Sequence, residues 1–221
     1  RLAFALWPDR AASRLPAHGE RMIVRTLGRA DYQATWDAMR AFTDARTPAT
    51  EDELWVCEHA PVFTQGIAGK EEHLLLNPTG IPVVKTDRGG QITYHGPGQA
   101  VVYTLIDLPR RGLKVRELVD LLEQAVIDVL ATFRIEGSRK PGAPGVYVKG
   151  AKIAALGLRV TRGCSYHGLA INCDVDLGPF DAIDPCGYPG LVVTRLRDLS
   201  VAAPWEAMGT ACADRIAMLL E

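Results

Sequence analysis

The stretch at 114–133 sets Val115, Leu118, Val119, Leu122, Val126, Val129 and Leu130 at three- and four-residue intervals, which predicts an amphipathic helix with one apolar stripe. Such a stripe has to be buried against another layer, and the segments on either side are of strand type, so the helix should lie on a sheet. Runs rich in β-branched and aromatic residues at 22–27, 54–57, 61–64, 81–86, 91–94 and 100–106 precede it, and 145–148, 152–160 and 169–173 follow. Asp31 is placed to cap a helix running to Arg46 with Trp36, Met39 and Phe42 along one side, and Pro48 ends it. A last helix is expected over 204–220, because proline is tolerated in a first turn. Three helices do not alternate with this many strands. The expectation is therefore a mixed α/β (α+β) fold with a largely antiparallel sheet flanked by helices, not a doubly wound parallel sheet.

Composition narrows the partners. Of 221 residues 48% are hydrophobic and 23% charged, ordinary for a chain that buries a core. With 25 basic and 26 acidic side chains, the formal charge of -1 offers no general attraction to nucleic acid or to an anionic membrane. The apolar runs at 2–7 and 153–158 fall well short of the ~20 residues that span a bilayer. Five cysteines without a C-x-x-C pair suggest neither a disulfide framework nor a zinc ribbon, and point to a reducing, cytoplasmic setting. Pro8 and Asp9 cut the first apolar run below the length of a secretory segment, so no signal peptide is read. Residues 1–21 are expected to be a tail or extension, and 22–221 one catalytic domain that acts as a monomer.

Several chemistries are not offered. The sequence has no G-x-S-x-G, H-E-x-x-H or G-x-G-x-x-G motif. Residues 145–152, GVYVKGAK, resemble a P-loop only superficially, because Lys152 is displaced by one position and Ile153 replaces the magnesium-binding Ser or Thr. Cys164, His167 and Cys173 lack a second matching pair for a metal. Neither a metal nor a cofactor is expected.

Three glycine-bearing stretches carry what remains. Residues 88–99, RGGQITYHGPGQ, set glycines on both sides of a short strand; this is either plain turn chemistry or a way to lay a ligand against backbone. Lys152 heads the apolar run 152–160, where a lysine ordinarily reaches solvent but, if drawn inside, becomes a usable proton carrier. The third stretch, 166–190, contains H-G-L-A-I-N and D-P-C-G. Cys57, Cys164, Cys173 and Cys212 read as small core hydrophobes, whereas Pro185 and Gly187 put Cys186 in a turn, where a thiol can face a cleft.

Taken together and in order, R-G-G-Q-x-T-Y-H-G-P-G-Q at 88–99, K-I-A-A-L-G at 152–157, H-G-L-A-x-N at 167–172 and P-C-G at 185–187 resemble the octanoyltransferase family of lipoate biosynthesis over about 22–220. The resemblance implies a biotin/lipoate protein ligase-like fold, with Cys186 as the acyl-accepting nucleophile and Lys152 as its partner. It further implies that the octanoyl chain lies along Arg88, Gly89, Gly90, Gln91, Ile92, Thr93, Tyr94 and His95, along Ala155, Leu156 and Gly157, and along Gly168, Leu169 and Ala170. The implied donor is octanoyl-acyl carrier protein. The implied acceptors are lipoyl domains, those of the glycine cleavage H protein and of the E2 subunits of 2-oxoacid dehydrogenases. His95 and His167 are candidates to orient substrate or relay protons, or are ordinary hydrogen-bonded histidines. Arg195 stands where the family pattern often has serine, and 1–21 extend beyond its usual start.

The residue types suit that reaction. A thioester is already activated, so its conversion to an amide needs no ATP, and a thiolate is an apt relay if an adjacent ammonium lowers its pKa. Three alternatives remain at this level: an ATP-dependent lipoate-protein ligase of the same fold, a non-catalytic binder of acyl carriers or lipoyl domains, and a cysteine hydrolase of acyl thioesters.

Overall fold

A computed structural model describes residues 22–70, 73–75, 80–183 and 190–221. Among these residues two sheets are formed. The larger has six strands, β1 (Met22–Ala30), β2 (Asp52–His59), β6 (Gln99–Leu105), β9 (Cys164–Asn172), β8 (Ala151–Thr161) and β7 (Gly145–Val148), hydrogen-bonded in that order. The smaller orders β4 (Val83–Lys85), β3 (Val62–Gln65) and β5 (Ile92–His95). In the larger sheet only β1 and β2 pair in parallel; β2–β6, β6–β9, β9–β8 and β8–β7 are antiparallel. The mixed, largely antiparallel architecture expected above is the one observed.

Helices cover both faces of the large sheet. α1 (Tyr32–Asp44) is the crossover between β1 and β2, and the Asp31 carboxylate accepts the Ala34 amide at 2.8 Å to satisfy one free N–H of its first turn. It buries Met39, with Trp36 and Phe42 partly covered, against Trp55, Val101, Tyr103 and Ala170. α2 (Val115–Thr132) and α3 (Trp205–Leu219) lie on the opposite face. There Leu118, Leu122, Val126, Leu130, Met208 and Ile216 pack on Leu54, Val56, Val102, Leu169 and Ile171. Adjacent residues of β2 and β6 thus serve different cores, as strand alternation requires. Of the predicted stripe, Val115 falls outside: it stands at the helix start and is exposed. Among the described residues no helix is long and apolar enough to cross a membrane.

The strand expected at 169–173 begins earlier, at Cys164. Arg162 and Gly163 both have positive φ, 49° and 79°, and close a two-residue hairpin between Thr161 and Cys164, which pair. Arg-Gly is a weaker turn signal than Asn-Gly, and the polar Ser165 and His167 mask the strand pattern. Ser165 is buried and donates to the Thr104 carbonyl at 2.7 Å.

Gly168 shows why this strand cannot carry a side chain everywhere. A Cβ there would stand 2.0 Å from the Val102 carbonyl oxygen and 3.0 Å from Tyr103 Cα, backbone that has no freedom to retreat. Gly168→Ala is expected to lower stability by about 3 kcal/mol, read as a lower urea midpoint at unchanged m-value.

Candidate active site

A cleft opens between the two sheets, on the α1 face of the larger one. Its wall combines the 88–91 loop and β5 with the middle of β8 and β9, and it encloses about 520 Å³ of space including its open mouth. The structure gathers residues from all three sequence stretches here. Arg88, Gly90, Gln91, Ile92, Thr93 and His95 form one side; Ala155, Leu156, Gly157, His167, Gly168, Leu169 and Ala170 form the other. Gly89 and Tyr94 lie just off the wall. The Gly89 amide donates to the Leu158 carbonyl at 2.8 Å, so it is engaged by protein, while the Tyr94 ring packs between Phe63 and Phe180.

Close approach of the loop to β8 depends on small residues. Gly157 pairs with Gly168 across the ladder, and a Cβ on Gly157 would meet the Gly89 carbonyl at 3.0 Å and Arg88 Cδ at 3.2 Å. Arg88 is buried and braces its own loop. Its guanidinium donates to the Thr64 hydroxyl (3.2 and 2.9 Å) and carbonyl (2.5 Å), and to the Gly89 (2.9 Å) and Gln91 (2.8 Å) carbonyls.

Three residues of the wall were not anticipated: Tyr32, Val101 and Tyr103. His59, behind them, was not anticipated either. The Ala30 carbonyl can only accept, so the proton of His59 sits on Nδ1 (2.7 Å), and the Tyr103 hydroxyl donates to Nε2 (2.6 Å). The His59 ring meets those of Tyr32 and His95 at 5.2 and 6.1 Å. A signal existed in the adjacent Glu58 and His59, two polar residues ending a strand that is buried throughout. Asp87 anchors a second cluster. It accepts from Trp36 Nε1 (3.0 Å), His167 Nε2 (3.0 Å) and the Tyr166 hydroxyl. Burial opposes its ionisation, but these donors outweigh that effect and hold the carboxyl well below the usual carboxylate range. His167 adopts a left-handed conformation, φ 61°, to reach it.

Lys152 lies beside the cleft. It is only 4% exposed, and it lines a small adjoining cavity with Thr93, Gln99, Ala155, Asn172, Phe180 and Val193; Thr93 and Ala155 are shared with the main cleft. Its Nζ donates to the Pro144 carbonyl at 3.1 Å and stands 5.3 Å from the Tyr147 ring centroid. Gly145 makes the seat. Its φ is 137°, and a Cβ there would crowd the Ala154 carbonyl at 2.7 Å and Lys152 Cε at 3.0 Å. The backbone of Lys152 is held by its neighbour in space: its amide donates to the Val192 carbonyl at 2.8 Å, and its carbonyl accepts from the Thr194 amide at 2.9 Å. Cys186 lies outside the described residues. The other four cysteines are buried, and burial raises their pKa values, to about 12 for Cys173 and Cys212.

A mixed sheet carrying a cleft walled by glycine-bearing strands defines an α/β catalytic-domain fold, and comparison with known proteins gives its family. The model of the lipoyl protein ligase A/B catalytic domain matches residues 31–217. The octanoyltransferase of Aromatoleum aromaticum is 63% identical over 194 residues, covering 88% of this chain and 84% of that one. That of an Azoarcus species is 59% identical over 199 residues, covering 90% and 88%. Among solved structures, a bi-partite lipoate protein ligase of Thermoplasma acidophilum, studied with its E2 lipoyl domain, superposes with a TM-score of 0.71 at 15% identity, covering 90% of this chain and 84% of that one. The chain belongs to the lipoyl protein ligase A/B catalytic domain family, as an acyltransferase of its octanoyltransferase branch.

Burial lowers the pKa of His59, His95 and His167, that of His95 to about 3, so all three are neutral in the folded protein near pH 7. The unfolded chain takes up protons below the ordinary histidine value of about 6.5, which the native rings resist. Stability from this source is complete above about pH 6.5 and falls as pH drops toward the folded values, by about 2 kcal/mol for His95 alone between about pH 6.5 and 5. His95→Gln is expected to flatten the decline of the urea midpoint between about pH 7.5 and about pH 5; an unaltered decline contradicts the assignment.

Proposed function

We propose that the chain transfers an octanoyl group from octanoyl-acyl carrier protein to a lysine of a lipoyl domain, through an S-octanoyl intermediate on Cys186 with Lys152 as proton carrier. Octanoyl transfer in lipoate biosynthesis is the activity that its curated octanoyltransferase relatives support. The finer reading is carried by one observation: a buried lysine in a small cavity that adjoins the cleft, its backbone hydrogen-bonded to Val192 and Thr194, a few residues beyond Cys186 in the chain.

In the first half-reaction the Cys186 thiolate attacks the carbonyl carbon of the donor thioester. The tetrahedral oxyanion collapses, the carrier's C–S bond breaks, and the departing carrier sulfur takes a proton from Lys152. In the second, the neutral amine of the acceptor lysine attacks the S-acyl carbon. Lys152 Nζ, now neutral, accepts the proton of the forming amide nitrogen, the C–S bond to Cys186 breaks, and the thiolate–ammonium pair is restored. No phosphate is consumed. The ammonium favours the thiolate below the ordinary cysteine pKa of about 8.5. The neutral state of His59, His95 and His167 suits the same purpose, since it leaves no imidazolium beside an alkyl chain. Burial of the octanoyl tail along Ala155, Leu156, Leu169 and Ala170 contributes about 5 kcal/mol.

Mixing the protein with octanoyl-acyl carrier protein, without ATP, should add one octanoyl group by intact mass, lost on adding a lipoyl domain as that domain gains it. Cys186→Ser is expected to abolish the adduct; an adduct that persists on another residue refutes the assignment. Lys152→Arg keeps the charge but is expected to cut turnover by at least 100-fold, in line with the loss of a proton carrier, and near-normal turnover counts against that role.

A further inference from the structure

Two motif residues have no part in the reaction above, Gln99 from the end of the first glycine-bearing stretch and Asn172 from the end of the third. Both are buried, at 2% and 5% exposure, and both line the small cavity around Lys152. Their side chains meet, Gln99 Nε2 donating to Asn172 Oδ1 at 2.9 Å.

The orientation of this pair is dictated from outside it. The Tyr94 carbonyl can only accept, so the nitrogen of Gln99 faces it, at 3.2 Å, and the oxygen of Gln99 is turned to His95 Nδ1, at 2.7 Å. The Thr194 carbonyl can likewise only accept, so the nitrogen of Asn172 faces it, at 3.0 Å, and the oxygen is turned to Gln99. An amide oxygen has no proton to give. His95 Nδ1 therefore carries the hydrogen, and the neutral ring, part of the cleft wall, keeps Nε2 as its lone-pair nitrogen. At the other end Thr194 is the residue whose amide donates to the Lys152 carbonyl at 2.9 Å.

We propose that Gln99 and Asn172 are positioning residues: a relay of two side-chain amides, set by two backbone carbonyls, fixes the tautomer of His95 and pins the 192–194 backbone alongside Lys152. One chain of hydrogen bonds then spans from the cleft wall to the strand edge that carries the proton carrier. The catalytic consequence rests on the acyl-transfer reading; the tautomer and the backbone pinning do not.

Long-range proton–nitrogen correlation spectra of the nitrogen-15-labelled chain near neutral pH should show a neutral His95 protonated on Nδ1. In Gln99→Met the ring should move toward the Nε2-protonated form, with the backbone amide spectrum confirming that the fold is kept. An Nε2-protonated ring in the wild type, or an unchanged ring in Gln99→Met, overturns the relay. Asn172→Leu leaves Tyr94 to orient Gln99, so the tautomer should stay. Hydrogen exchange at the Thr194 amide should then rise at least tenfold, and kcat for octanoyl transfer should fall at least tenfold with KM for the carrier protein within about twofold. Wild-type exchange at Thr194 overturns the pinning, and wild-type kcat overturns its catalytic consequence. If the wild type transfers no octanoyl group, the acyl-transfer reading fails, while the spectra and exchange rates still decide the relay.

Discussion

A lysine amine held away from water is the constraint around which this molecule is arranged. Removing an ammonium from solvent costs several kcal/mol unless other groups replace its hydration. The Pro144 carbonyl and the face of Tyr147 do part of this for Lys152, and they can do so only because residue 145 has no side chain. The edge strand adapts as well. Pairing between β7 and β8 shifts register between Val146 and Tyr147, which brings Tyr147 opposite Lys152. On its other side Lys152 makes a parallel bridge to Val193, just before the pairing of β8 with β9 begins at Ala154. The same lysine thus lines the small cavity beside the cleft with its side chain and holds the chain at 192–194 with its backbone.

From that point outward the cleft is graded. Val101, Ala155 and Ala170 supply apolar side chains to the lining, while Leu156 and Leu169 turn theirs to the core under α2 and α3, and polar side chains that reach the wall are neutral or tied to protein partners. Arg88 is spent on loop carbonyls, Tyr103 on His59, and His167 on Asp87. A long alkyl group meets few unsatisfied dipoles in such a channel, which is what a fatty-acyl ligand requires.

Much of this was legible in residues before any coordinates. Periodicity marked α2, the Asp31 cap marked α1, and irregular alternation of helices and strands pointed to a mixed sheet. Octanoyltransferase-like motifs named most of the wall. What was hidden depends on strand order. Tyr32, His59 and Tyr103 meet because β2 lies beside β6 in the sheet, and no local pattern announces that neighbours in space are 27 to 71 residues apart in sequence. The same holds for Asp52, fully buried and bound not only by Arg46, six residues before it, but also by Arg110 and Arg111 from a loop 58 and 59 residues away, which no local window brings together. The start of β9 was missed for a local reason, because a buried serine and a strained histidine interrupt the apolar pattern. Cys186, which the motif singled out most sharply, lies where the structure offers no description.

The most direct test of the thiolate–ammonium pair is the pH dependence of the alkylation rate of Cys186 by iodoacetamide, followed by peptide mass. Buried Cys57, Cys173 and Cys212, with raised pKa values, should not compete. The account predicts a midpoint below the ordinary thiol value of about 8.5 in the wild type and a rise toward that value in Lys152→Gln. The same midpoint in both proteins would contradict it.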